Sequence, residues 1–236
     1  MIYNVRIKVF PDGTRQYMWS EKGGEKDYTR EKEPEKTGES VARGEEQNEK
    51  RAKQVVYDLA RSNDWEYFIT LTLGEGVDRF DYEACCEAVM KYTKYLGKRG
   101  CRWIIVPEQH KNGAWHFHGL LAGPVKAVRA VNAHTGQPLI DKAGREVYNL
   151  IDYKAGFTTA VKLDGSPRVA TYLTKYYTKD MQIPKGKKRY WSSRNLARPQ
   201  VFYDQLYGST FEELFDAARY RKDIQGPYGR FILIET

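Results

Sequence analysis

Long apolar runs are missing from this sequence. The longest strictly apolar stretches, Trp103-Ile104-Ile105-Val106 and Phe231-Ile232-Leu233-Ile234, hold four residues each, against the roughly 20 that a membrane-spanning helix needs. No membrane association is expected. The opening segment, MIYNVRIKVF, lacks the apolar core of a secretory signal. Cysteine is scarce: Cys85, Cys86 and Cys101 are the three, two of them adjacent and none in a Cys-x-x-Cys pair. Neither a zinc knuckle nor a disulfide framework is indicated, and a reducing cytoplasm is the natural compartment. A Gly-x-x-x-x-Gly-Lys-Ser/Thr run is also absent, so no nucleotide-driven motor is recognisable. Acidic charge is in the minority. Asp and Glu number 31 against 39 Lys and Arg, a formal charge of +8, and that excess suits a polyanionic partner because Lys and Arg neutralise phosphates and release counterions. Aromatics, by contrast, are plentiful: with 18 Tyr, 9 Phe and 5 Trp, some can stand exposed as flat faces on which unpaired bases stack.

Residues 2–19 alternate in a strand-like way around Pro11-Asp12-Gly13, a good hairpin turn. Residues 20–50 are rich in Lys, Glu and Gly and nearly free of large apolar side chains. Such a stretch buries too little surface to order itself, at least in its first half. The expected organisation is an N-terminal β-hairpin (1–20), a charged linker (21–44) and one main domain (45–236). Within that domain a helix is expected over 45–62, with Ala52, Val55, Val56, Leu59 and Ala60 as its apolar face. Strands are expected at 67–73, 102–107, 115–122, 157–163 and 230–235. Helices are expected at 81–98, 167–181 and 210–222, the second opened by Ser166-Pro167. Strands and helices mix without βαβ regularity, which predicts an α+β fold with an antiparallel sheet.

The segment Ala114-Trp115-His116-Phe117-His118-Gly119 carries chemistry. On a strand, His116 and His118 project to one face while Phe117 points to the other. Two neighbouring imidazoles can bind a divalent metal. A third ligand would come from the preceding strand, where Glu108, Gln109 and His110 are the candidates. A strict two-residue Asn112-Gly113 loop sets Gln109 opposite His116. A longer loop or a bulge brings Glu108 there instead. Carboxylate is the better ligand for a hard cation, which favours Glu108.

In Tyr172-Leu173-Thr174-Lys175-Tyr176-Tyr177-Thr178-Lys179, positions 172, 175, 176 and 179 share one helix face. Two phenols alternate there with two ammonium groups. Positive charge favours phenolate, and Lys175 and Lys179 are placed to offset negative charge in a transition state. An ordinary amphipathic helix with boundary tyrosines and snorkelling lysines would read the same way. A basic loop follows, with Lys185, Lys187, Lys188, Arg189, Tyr190, Trp191 and Arg194, and Arg198 beyond it. Its mixture of cations and aromatics suits an unpaired strand held by backbone charge and base stacking.

Three segments occur in order: Phe68-Ile69-Thr70-Leu71-Thr72-Leu73, His116-Phe117-His118 and the doubled Tyr-x-x-Lys at 172–179. Together they resemble the three-motif signature of rolling-circle replication initiators in the HUH endonuclease superfamily. The doubled tyrosine motif resembles the two-tyrosine class found in small single-stranded DNA phages, and the likeness spans about residues 45–200. It implies a central antiparallel sheet flanked by helices, with a topology like that of RNA-recognition motifs, and threonines of the first motif lining the sheet near the site. It implies His116 and His118 as metal ligands with Glu108 as the third, and Mg or Mn as the ion. Tyr172 would be the first nucleophile and Tyr176 the second, while Tyr177 has no matching role. The implied activity is nicking of single-stranded DNA at a replication origin through a 5′-phosphotyrosine. A separate helicase and the host polymerase would be partners, in a bacterial cytoplasm if a phage or plasmid encodes the chain. A transposase or relaxase of the same superfamily, or a non-catalytic module for single-stranded nucleic acid, are the alternatives.

Overall fold

The computed structural model describes residues 2–25, 38–176, 183–184, 186–226 and 229–236. In chain order the elements are β1 (Ile2–Val9), β2 (Arg15–Glu25), α1 (Gly38–Arg61), β3 (Tyr67–Leu73), α2 (Tyr82–Lys98), β4 (Arg102–Gln109), β5 (Trp115–Ala122) and β6 (Ala127–Arg129). Then come β7 (Val147–Leu150), β8 (Gly156–Lys162), α3 (Arg168–Lys175), β9 (Trp191–Ser192), β10 (Gln200–Asp204), α4 (Ser209–Asp216), β11 (Tyr220–Gly226) and β12 (Gly229–Glu235). Two antiparallel sheets and the helices make an α+β fold. Among the described residues no helix is long and apolar enough to cross a membrane.

The chain divides into two units, one of residues 1–41 with 197–236 and one of residues 42–196. The division differs from the boundaries expected from sequence. The hairpin β1–β2 does not stand apart, because β12 pairs with β2 (Ile232 opposite Trp19) and β10 pairs with β1 (Ile7 opposite Phe202). The resulting five-stranded sheet, in order β10-β1-β2-β12-β11, buries Val5, Tyr17, Ile232 and Ile234 in a core of its own. The apolar residues of the first hairpin therefore find their partners some 200 positions away rather than next in sequence. The linker is also shorter than expected: β2 extends to Glu25 and α1 starts at Gly38. The rest of the expected linker, residues 26–37, lies outside the described residues.

The second unit is a seven-stranded sheet in order β6-β7-β8-β3-β5-β4-β9. One face meets α2, whose Cys85, Val89, Tyr92 and Leu96 pack with Ile69, Leu71, Ile105, Phe117 and Leu121. Asp81 opens that helix by accepting hydrogen bonds from the Glu83 and Ala84 N–H groups, a cap worth about 1 kcal/mol. The other face meets α1 and α3, through Val56, Leu59 and Ala60 and through Ala170 and Leu173, packed over Phe68, Ile104, Val106 and Leu120. Fully burying each large aliphatic side chain contributes roughly 1.5–3 kcal/mol, so the two apolar layers clamp the central strands. Gly119 sits mid-strand in β5 where a Cβ would lie 2.4 Å from the Ile104 carbonyl oxygen. The close approach of β4 to β5 beside the histidines depends on that missing side chain.

Candidate metal centre and tyrosine pair

The β4–β5 turn decides which residue faces the histidines. Gly113 N–H donates to the His110 carbonyl and His110 N–H donates to the Ala114 carbonyl, with Gly113 at φ 87°. This is a three-residue loop with a left-handed glycine, the geometry of a type I turn followed by a bulge. It sets Glu108 opposite His116 and Gln109 opposite Trp115. Of the two registers open from sequence, the one that brings Glu108 to the histidines is present.

Residues opposite one another on antiparallel strands share a face, so the register lays out a grid across β8, β3, β5 and β4. Its outermost row is Phe157, Thr72, His116 and Glu108. The next row is Thr159, Thr70, His118 and Val106, and the third is Val161, Phe68, Leu120 and Ile104. The third row and Val106 lie against the helices, while the outer rows carry polar chemistry.

His118 is buried and sits 2.7 Å, Nε2 to Oε2, from Glu108. Its Nδ1 is 3.1 Å from the Thr70 hydroxyl, and His116 Nδ1 is 3.4 Å from the Thr72 hydroxyl. A threonine hydroxyl donates or accepts, so each imidazole can keep its Nδ1 engaged on β3 whichever tautomer it adopts. His110 joins the group: its ring stacks on His116 with centroids 3.9 Å apart, and its Nε2 is 3.5 Å from the Glu108 carboxylate. The His118 hydrogen bond, helped by the charges of the surrounding imidazoles, holds the Glu108 carboxyl below the usual carboxylate range against the opposing effect of burial. Burial, with the neighbouring His110 and His118, pushes His116 down to about 4. At neutral pH the corner thus offers an ionised carboxylate and a neutral imidazole, the protonation states that metal ligands require. That donor chemistry fits a divalent cation. Among the described residues, however, no three His, Cys, Asp or Glu side chains stand at metal-holding spacing. Glu108 and His118 are joined directly to each other.

The phenols come from α3. Ser166 Oγ accepts from the Arg168 N–H at the start of this helix, and Leu173 anchors it in the core. Tyr172 lies within α3, and Tyr176 is the residue that ends it. Their hydroxyl oxygens are 2.9 Å apart. Tyr176 stacks on His118 with centroids 3.8 Å apart, while Tyr172 packs edge-on against Phe68 at 4.9 Å and is 40% exposed. Burial, followed by the hydrogen bond to Tyr172, pushes the Tyr176 phenol above its ordinary value. Lys175 is exposed, its ammonium 5.7 Å from the centre of the Tyr172 ring. Lys179 and Tyr177 lie outside the described residues.

The basic loop is less free than its composition suggests. Lys187 pairs with Glu83 at 2.6 Å, and Arg189 lies 4.0 Å from Glu49. Tyr190 packs partly buried on the core beneath α1 and α3. Trp191 belongs to edge strand β9, opposite Ile105, and packs on the α2 side. With Lys188, Arg189, Ser192 and Trp103 these two aromatics line a depression of about 340 Å³. Lys188 and Arg194 are exposed. Arg198 is exposed but belongs to the other unit, and Lys185 lies outside the described residues. Sequence reasoning weighed His110 but did not choose it, and it missed Arg79. That arginine adds positive potential at His116 and lies in the turn whose Arg79 carbonyl accepts from the Trp115 N–H. Neither residue belongs to a periodic pattern, so only the folded turn could reveal them.

No curated protein and no solved structure matches the chain. One family does, and the matched stretch carries β3, Glu108, both histidines of β5 and both phenols of α3. Residues 66–181, just under half of the 236, match the family model of the replication-associated protein of ORF2 type, consistent with a rolling-circle, Rep-like protein.

Proposed function

We propose that this protein nicks single-stranded DNA at a replication origin by a metal-dependent tyrosine transesterification, and rejoins the strand at the end of a round of rolling-circle replication. The observation that carries this reading is the stacking of Tyr176 on His118, with the Tyr172 hydroxyl at hydrogen-bond distance from that of Tyr176. Two nucleophile candidates thereby stand against the histidine–carboxylate corner, and the family match supplies the replication context.

Glu108, His116 and His118 would hold a divalent ion, Mg or Mn, with His110 beside them. Bound there, the ion would act as a Lewis acid on a non-bridging oxygen of the scissile phosphate. The protein side chains do the rest. The Tyr172 oxygen attacks phosphorus and gives up its proton, and the bond from phosphorus to the 3′ oxygen breaks. That oxygen takes a proton and leaves as a 3′-hydroxyl, and the 5′ phosphate remains esterified to tyrosine. One phosphodiester replaces another, so no hydrolytic energy is lost and the step can be reversed. Tyr172 opens the reaction in this scheme because it is the more exposed phenol. Tyr176, kept protonated by its raised pKa, serves the second transfer. Lys175 offsets charge near the reacting phenol. Unwinding and synthesis would fall to a separate helicase and the host polymerase.

The test is incubation with labelled single-stranded DNA spanning the origin, with Mn, followed by denaturing electrophoresis. Wild type, Tyr172→Phe, Tyr176→Phe and the double variant are compared. A labelled band that migrates with the protein and disappears in the double variant is expected. Cleavage without an adduct, unchanged in the double variant, would replace this mechanism with a water-using nuclease. Binding without cleavage would leave a non-catalytic module.

A further inference from the structure

Phe157 is the most exposed large apolar side chain among the described residues, at 74%. Its position is unusual as well. It opens the outermost row of the grid, directly opposite Thr72, which is in turn opposite His116. At the usual strand spacing, two strands separate Phe157 from His116 by about 10 Å. Ile69 lies opposite Ala160, both in the core under α2, whereas Phe157 and Thr159 point to the other face. On that face the helix layer covers Phe68, Val106 and Leu120 but leaves Phe157 and Thr159 exposed. Among the described residues no aromatic ring packs on Phe157. A single exposed apolar residue is ordinary on a protein surface. This one, however, lies flush with the histidine row, on the rigid pleat of the sheet rather than on a loop. Positive charge borders the same site: Arg79 acts on His116, Arg145 acts on Tyr176, and Lys175 sits by Tyr172. A phenyl face, a backbone-neutralising rim and a phosphate-cleaving corner in one row match the spacing of base and phosphate in an unpaired strand.

We infer that Phe157 is the stacking platform for a nucleobase adjoining the scissile phosphate, and so a positioning residue for the strand to be cut. This rests on the nicking reading above and adds the place where the strand is gripped. Stacking is tolerant of base identity because every base has a π-face, so the platform holds the strand without reading its sequence. The polar hydroxyls of Thr72 and Thr159 beside it leave room for the ring to be covered by a base, not by a side chain.

The experiment uses the full chain and two probes of equal charge: an oligothymidine of about 20 nucleotides and an abasic deoxyribose-phosphate strand of the same length. Affinities are measured by anisotropy for wild type, Phe157→Ala and Phe157→Tyr, with thermal melting to confirm the fold. Phe157→Ala should bind oligothymidine about tenfold more weakly and the abasic strand as wild type does, and Phe157→Tyr should restore the difference. Equal loss on both strands would make Phe157 a structural residue and overturn the inference, as would no loss on either. Tighter binding of the alanine variant to both would point to a protein partner on this face instead, and would also overturn it. Because binding is read without cleavage, the result stands apart from adduct formation. Wild type that binds bases through Phe157 but yields no phosphotyrosine on origin DNA sinks the nicking mechanism alone. Wild type that binds neither strand sinks both.

Discussion

Burial and two adjacent imidazoles hold His116 neutral down to about pH 4. An unfolded histidine takes up its proton near pH 6.5. Between those values the unfolded chain binds more protons than the folded one, so stability drops as pH falls through that window. His116→Gln removes the titration. With metal chelated, urea unfolding at pH 6.5 and pH 4 should show wild type losing about 1–2 kcal/mol more than the variant, after allowance for solvent screening. Parallel losses would mean the imidazole is not desolvated. A second residue-level outcome concerns Thr70, whose hydroxyl meets His118 Nδ1. Thr70→Val keeps the shape and removes that support, and Mn affinity by calorimetry should fall about tenfold. An unchanged affinity would dissociate His118 from the ion. At this scale the sequence was informative where periodicity operates: His116 and His118 share a face, and Tyr172 and Tyr176 share another. The choice between Glu108 and Gln109 was not readable, because one residue of loop length inverts it. His110 was not readable as a member of the cluster either, since only the closed turn folds it back onto His116.

Elements were legible in proportion to their amphipathic pattern. The strands around 67–73 and 115–122 and the helix at 81–98 coincide with β3, β5 and α2 to within a residue or so. The expected helix at 210–222 ends instead at Asp216, and β11 begins at Tyr220. The sequence YRKDIQG of that edge strand shows no apolar alternation, as befits a strand with one partner and charged side chains that discourage further pairing. The segment 124–155, read from sequence as turns, contributes β6 and β7 to the sheet edge. Gly119 furnishes the test at this level. Gly119→Ala drives a methyl into the Ile104 carbonyl, so β4 and β5 must separate where they carry Glu108 and the histidines. Chemical denaturation should show a loss of about 2 kcal/mol or more, with the Mn site weakened in parallel. A stable variant with intact Mn binding would show that the strand pair yields without consequence.

For the whole molecule, charge and topology are the relevant quantities. With a formal charge of +8, binding of single-stranded DNA should be strongly salt-dependent. A strand held through about four phosphates loses roughly fifty-fold in affinity between about 50 and about 200 mM salt. A flat salt response would mean that stacking alone holds the strand. The unit of residues 42–196 has its own cores on both sheet faces. A fragment of residues 38–196 should therefore unfold cooperatively and still form the tyrosine adduct. A fragment without a cooperative transition would show the two units to be thermodynamically inseparable. Pairing between β2 and β12 could not be read from sequence, because strands some 200 positions apart leave no local signal.

That pairing has a consequence during synthesis. The hairpin β1–β2 leaves the ribosome well before both of its sheet neighbours, β10 and β12. At about 5–20 residues per second, the nascent hairpin waits roughly ten to forty seconds with Val5 and Tyr17 uncovered. The seven-stranded sheet, complete once β9 has emerged, can fold in the meantime. Emergence of β12, rather than of the first strands, is then the event that completes the core of the five-stranded sheet. A ribosome stalled before residue 200 would hold the second unit folded, with an exposed hairpin for chaperones to recognise.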